Sequence, residues 1–131
     1  MSSRSVKTVV AALAALIAIA SGTSTAQAAP KPVDSYCSPT GDYCQGIVRQ
    51  NGRLRAKLST FSFTGTYQLC VRTPRVGTDC NLFRLRRDRN GIYQGSIGLS
   101  RHFNLRPAGR YTVTWRYSGT RLGKSLHFTK S

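Results

Sequence analysis

The chain has 131 residues, with 20 Lys and Arg against four acidic residues and a formal net charge of +16. That length suits one small domain, and the four acids are all aspartates, so chemistry built on paired carboxylates starts with few candidates. A balance this basic implies association with polyanions at low salt, whether nucleic acid, anionic lipid or acidic wall polymer, without singling one out.

Residues 1–28 read as a signal peptide. Arg4 and Lys7 precede an apolar run from Val9 to Ala20, and small and polar residues follow through Thr25. Ala26-Gln27-Ala28 meets the small-x-small cleavage rule and makes Ala29 the expected mature start, to within about one residue. The run is shorter than the roughly 20 residues that cross a bilayer, and no later stretch is continuously apolar, so integral membrane insertion is not expected. No cysteine follows the cleavage site and no sorting motif follows Lys130-Ser131. The expected location is therefore secreted and extracellular, with cell-wall association only through non-covalent contacts. Cleavage removes Arg4 and Lys7 and no acid, which leaves 18 basic residues against Asp34, Asp42, Asp79 and Asp88, a net charge of +14.

Residues 29–44 contain Pro30, Pro32, Pro39 and Gly41 and read as an irregular arm with a disulfide loop. Thiols outside the cytosol oxidise and persist as bridges. Four cysteines allow three pairings, and spacing favours Cys37 with Cys44 around a small loop and Cys70 with Cys80 across a hairpin; the other pairings stay open. Structural zinc sites usually show two close C-x-x-C pairs, whereas the intervals here are six and nine residues. No metal and no cofactor are expected.

Residues 45–131 read as one β domain. Gln45 to Arg49 and Leu54 to Phe61 flank an Asn51-Gly52 turn; Thr66 to Arg72, Cys80 to Arg87 and Ile92 to Leu99 follow. In Arg110 to Tyr117 the residues Tyr111, Val113, Trp115 and Tyr117 share one face, and Leu122 to Thr129 returns after Ser118-Gly119 with Leu126 and Phe128 inward. Side-chain parity tests the pairings, because a register slip of one exchanges the two faces. With Cys70 opposite Cys80, Leu69 faces Asn81 and Tyr67 faces Phe83, which puts the bridge on the outer face. A three-residue loop, Arg89-Asn90-Gly91, with Gly91 left-handed, sets Phe83 opposite Ile97; a two-residue loop would set it opposite Gly98, against the pattern. About seven short strands and no helix of useful length predict an all-β antiparallel sandwich with two disulfides, and a small β-barrel is the alternative.

Pro107-Ala108-Gly109-Arg110-Tyr111-Thr112-Val113-Thr114-Trp115, with Gly119, Gly123 and Phe128, resembles the last two strands of bacterial immunoglobulin-like domains. The resemblance implies an immunoglobulin-like sandwich in which the Tyr111 hydroxyl bonds back to the chain as a tyrosine corner. The wider set Cys37-Ser38-Pro39-Thr40-Gly41-Asp42-Tyr43-Cys44, Leu69-Cys70-Val71, Cys80, Phe83-Arg84-Leu85-Arg86-Arg87 and Arg101-His102-Phe103 is similar to a group of small secreted actinobacterial proteins. That likeness implies fold and compartment only. Periplasmic copper carriers are similar in the terminal strand pair, but Ala29-Pro30-Lys31 holds no histidine and the tract after Trp115 lacks their Asp-Gly-His.

No enzyme frame emerges. Asp42 and Asp88 read as turn residues, and His102 and His127 have no Gly-x-Ser-x-Gly elbow beside them; His127 projects opposite Leu126 and Phe128 as an exposed strand histidine. No glycine-rich phosphate loop precedes a helix. What is left is a binding surface: Arg84, Arg86, Arg87 and Arg89 on one strand and its turn, with Arg84 and Arg86 on the outward face, and Arg101, Arg106 and Arg110 around His102-Phe103. Guanidinium forks bind phosphate and carboxylate bidentately, although outward strand positions are polar in any case. The expected function is a secreted, non-enzymatic cationic module for an acidic extracellular or cell-envelope polymer or protein, with no specific nucleic-acid partner. The alternative is an antimicrobial or an inhibitor of an exported protein, presenting loops 73–79 or 101–109. An unrecognised hydrolase using His102 ranks last.

Overall fold

The computed structural model describes residues 29–131, and the expected signal peptide lies outside the described residues. In chain order the elements are β1 (Lys31–Cys37), β2 (Tyr43–Gln50), β3 (Arg53–Thr60), β4 (Thr66–Thr73), β5 (Gly77–Arg84), β6 (Arg86–Arg87), β7 (Tyr93–Gly98), α1 (Leu99–His102), β8 (Gly109–Tyr117) and β9 (Thr120–Lys130). They form two antiparallel sheets, ordered β1-β2-β3-β7-β6 and β5-β4-β8-β9. Setting β1 aside, β2-β3-β7-β6 facing β5-β4-β8-β9 is the A-B-E-D and C′-C-F-G order of an immunoglobulin sandwich. β1 lies beside β9 without a ladder between them among the described residues, so the two sheets stay open and the barrel alternative falls.

Local chemistry explains the hairpins. Asn51 and Gly52 both have positive φ, 53° and 74°, as do Ser118 and Gly119, 49° and 78°. Two left-handed residues make the primed turn whose twist matches the flanking strands, hence Gln50 opposite Arg53 and Tyr117 opposite Thr120. Alternation then sends Ile47, Ala56 and Leu58 inward from one sheet and Tyr67, Leu69, Val71, Tyr111, Val113, Trp115, Leu126 and Phe128 inward from the other. Leu99 and Phe103, from α1 and its exit, close the core with them.

The tyrosine corner is present: the buried Tyr111 hydroxyl donates to Pro107 O at 2.6 Å. Tyr111→Phe keeps the ring, which stacks on Phe128 at 4.7 Å, and removes only the bond. The expected loss is about 1 to 1.5 kcal/mol, read as a lower midpoint in urea unfolding; an unchanged midpoint would show that the corner contributes nothing.

Both disulfides form as expected, Cys37–Cys44 and Cys70–Cys80. Cys70 stands opposite Cys80, Leu69 opposite Asn81 and Tyr67 opposite Phe83. Two expectations need correction. Residues 31–37 of the supposed irregular arm form β1, paired with β2 from Lys31 opposite Arg49 to Cys37 opposite Cys44, with a register shift between Pro32 and Asp34. Pro32 fits because this is an edge strand, where a missing N–H can face away from the ladder. The single strand expected over Cys80 to Arg87 is two strands in different sheets, broken at Leu85. The three-residue loop is right, with Gly91 at φ 80° and Asp88 N donating to Ile92 O. Its register reaches only Arg87 opposite Tyr93 and Arg86 opposite Gln94, so Phe83 pairs with Tyr67 and not with Ile97.

Candidate anion-binding site

The break at Leu85 shapes the arginine-rich region. Leu85 is buried and its N–H donates to Gly65 O at 2.8 Å, which pins the chain where it crosses between sheets. Arg84 therefore ends β5, opposite Thr66, and Arg86 begins β6, opposite Gln94. They do not share a strand face, yet both line one cleft of about 490 Å3 with Tyr67, Phe83, Arg87, Asp88, Gln94, Gly95, Ser96 and Ile97.

The cleft floor is aromatic and tightly set. Gly95 carries no side chain where the Tyr67 ring and hydroxyl pass; a Cβ there would lie 2.5 Å from both Tyr67 Cε1 and its hydroxyl. Phe83 stands 5.9 Å from the Tyr67 ring, and His102 meets Phe83 edge-on at 4.9 Å. Burial pushes the Tyr67 hydroxyl up to about 12, so it stays protonated and able to donate. At the rim, Asp88 Oδ1 accepts from Asn90 N and Ile92 N at 2.8 and 2.9 Å, and Oδ2 accepts from Gln94 Nε2 at 2.9 Å. That carboxylate holds the turn bearing Arg89, and a Cβ on Gly91 would lie 3.4 Å from Arg87 Nη2.

A second basic surface covers the outer face of the five-stranded sheet. Because Ala56, Leu58 and Thr60 are buried, Arg53, Arg55 and Lys57 alternate outward along β3. Arg55 is held in place, Nε donating to Ser96 Oγ at 3.2 Å and Nη2 to Ser96 O at 3.3 Å. Arg101 folds back over the same face, its Cδ 3.5 Å from a Cβ position on Gly98, which Arg55 Nη1 also approaches. β2, β3, β6 and β7 contain no acidic residue. Arg53, Arg55 and Lys57 were absent from the expected site, although the alternation of Arg53 to Thr60 carries the signal.

The seven expected arginines are thus not one patch. Arg84, Arg86 and Arg87 line the cleft, with exposed Arg89 on the adjoining turn. Arg101 joins the outer face of the five-stranded sheet. Arg106 lines a separate shallow depression with Ser100, Phe103, Asn104, Leu105 and Lys130. Arg110, opposite Thr129, lies on the other sheet. His127 is half-buried rather than exposed, because β1 covers β9: Asp34 Oδ2 accepts from its backbone N–H at 2.9 Å, and Nδ1 lies 3.2 Å from Thr112 Oγ1. Asp34 also accepts from Ser35 N, and Asp42 accepts from Thr40 Oγ1. In comparisons with protein-family models, curated proteins and solved structures, the chain matches none.

Proposed function

We propose that the mature chain is a secreted, non-enzymatic binding domain that holds an acidic extracellular or cell-envelope polymer along the outer face of its five-stranded sheet. The observation that carries this reading is that face itself: Arg53, Arg55, Lys57 and Arg86 at outward positions, Arg101 laid over Gly98, and no acid in β2, β3, β6 or β7. Alternate residues along β3 are about 7 Å apart, so Arg53, Arg55 and Lys57 form a straight row along which a linear polyanion can lie. Gly46 and Gly98 keep the flanking strands low beside Arg55 and Lys57. Three of the four aspartates already use their oxygens on backbone amides, a hydroxyl or Gln94, Asp34 at the β1–β9 seam, Asp42 in its turn and Asp88 at the β6–β7 edge of this sheet. Two disulfides suit an oxidising compartment, and among the described residues no helix is long and apolar enough to cross a membrane. The finer likeness to bacterial immunoglobulin-like domains rests on the strand order and the Tyr111 corner.

The test is retention of oxidised residues 29–131 on the producer's cell-envelope fraction across a salt series. Retention should fall steeply with salt. Replacing Arg53, Arg55 and Lys57 together by Gln should weaken it about tenfold, while the same charge loss at Arg72, Arg110 and Arg121, on the other sheet, should have a much smaller effect. Equal effects of the two triple variants, or salt-independent capture of a single protein, would overturn this reading and favour the inhibitor alternative.

A further inference from the structure

The cleft between β5 and β7 carries chemistry that a flat polymer-binding face does not use. It exists because β6 is only two residues long: β7 pairs with β6 at Tyr93 and Gln94, and beyond that point the chain has left for the other sheet at Leu85. Gly95 to Ile97 therefore face β5 across an opening rather than across a ladder. Arg84 enters this opening from one sheet, and Arg86 and Arg87 from the other.

We propose that this cleft is a site for a phosphomonoester carried on an apolar or aromatic body, with Arg84, Arg86 and Arg87 on the phosphate and Phe83, Ile97 and Tyr67 against the body. Three arginines and a single carboxylate line it, and Asp88 already accepts three hydrogen bonds from its own turn and Gln94. A phosphomonoester carries about −1.5 to −2 charge and three acceptor oxygens near pH 7, which suits a cleft lined by three arginines better than a monocarboxylate does. Phe83 and Ile97 are only partly buried and offer apolar area that an inorganic anion leaves wet. The protonated Tyr67 hydroxyl adds a neutral donor at the floor. A volume of about 490 Å3 lies within the usual range for small-molecule sites. This site goes beyond the polymer reading: it shares Arg86 with the polymer-binding face and otherwise uses residues other than Arg53, Arg55, Lys57 and Arg101.

The experiment is calorimetric titration of oxidised residues 29–131 with phenyl phosphate and, separately, inorganic phosphate, with amide chemical shifts followed by NMR. Phenyl phosphate should bind at one site about tenfold more tightly than inorganic phosphate, with the shifts centred on Gly95 to Ile97 and Phe83. Arg84→Gln and Arg86→Gln should each weaken it about tenfold, while Arg110→Gln, an equal charge loss elsewhere, should change it by less than about twofold. Equal binding of the two phosphates, equal effects of Arg86→Gln and Arg110→Gln, or shifts centred outside the cleft would overturn the assignment. The variant with Arg53, Arg55 and Lys57 replaced separates the two proposals: it should lose envelope retention and keep phenyl phosphate binding. Native melting curves for the arginine variants show that lost binding is not lost folding.

Discussion

Reduction of both disulfides is expected to lower the melting temperature of residues 29–131 by about 20 °C or more. In the chain-entropy account each bridge, with sequence separations of 7 and 10, restricts the unfolded chain by about 2 to 3 kcal/mol. A domain of roughly 100 residues loses about 4 to 8 °C per kcal/mol, and its whole stability is commonly about 5 to 15 kcal/mol. The two bridges also differ in what they hold. Cys37–Cys44 ties the edge strand β1 to β2, whereas Cys70–Cys80 ties β4 to β5, an edge strand whose residues from Gly77 to Cys80 are all exposed. Replacing Cys70 and Cys80 by Ala should therefore speed amide exchange along β5 and weaken phenyl phosphate binding. Replacing Cys37 and Cys44 should speed exchange in β1 and leave the cleft intact. Thermal melts with verified thiol release check the total; a shift of only a few degrees would mean that the core carries the fold without the bridges.

Gly123→Ala should cost about 2 to 4 kcal/mol, combining left-handed strain with overpacking. Gly123 has φ 56°, and a Cβ there would lie 2.5 Å from Tyr36 Cε1 and 2.6 Å from Gln45 Oε1. Both neighbours are tied into the β1–β9 seam. Gln45 is buried between the sheets with Nε2 donating to Leu122 O at 2.9 Å, and Tyr36 belongs to β1, against which β9 packs. The register shift between Val113 and Trp115 lies opposite this stretch of β9, so displacing Gly123 also disturbs the pairing that seats Leu122 and Leu126. Gly119→Ala is the control: its φ is 78°, but nothing lies within 4 Å of the added methyl, so it should show backbone strain alone, about 1 kcal/mol. Chemical denaturation of both variants decides the point, and equal losses would mean that Tyr36 and Gln45 simply move aside.

The candidate site was legible only in part, and Arg84 and Arg86 show why. Their residue type and spacing place them beside each other on a common strand face, because alternation is a local rule. Their true relation depends on Leu85, where the backbone bonds to Gly65 and the chain changes sheets. The cleft is made by that change, and Tyr67, its floor, reads in the sequence as one more core aromatic. Arg53, Arg55 and Lys57 are the reverse case: their outward parity is plain beside Ala56 and Leu58, and only their freedom from acidic neighbours needed the sheet order.

Short-range chemistry alone determined the Asn51-Gly52 and Ser118-Gly119 turns, the Gly91 loop and the inward residues of each long strand; the Tyr111 corner comes from the family resemblance, and the Cys70–Cys80 pairing is one of three that the sequence leaves open. The turns, the loop and the inward faces depend on φ preferences or two-residue periodicity. Tertiary structure decided that the proline-bearing arm becomes an edge strand, that β6 separates from β5, that His127 is covered by β1, and that arginines from two sheets line one cleft with Tyr67. Those outcomes follow from which sheet buries each apolar face, a choice made among segments distant in the chain and invisible to any local pattern.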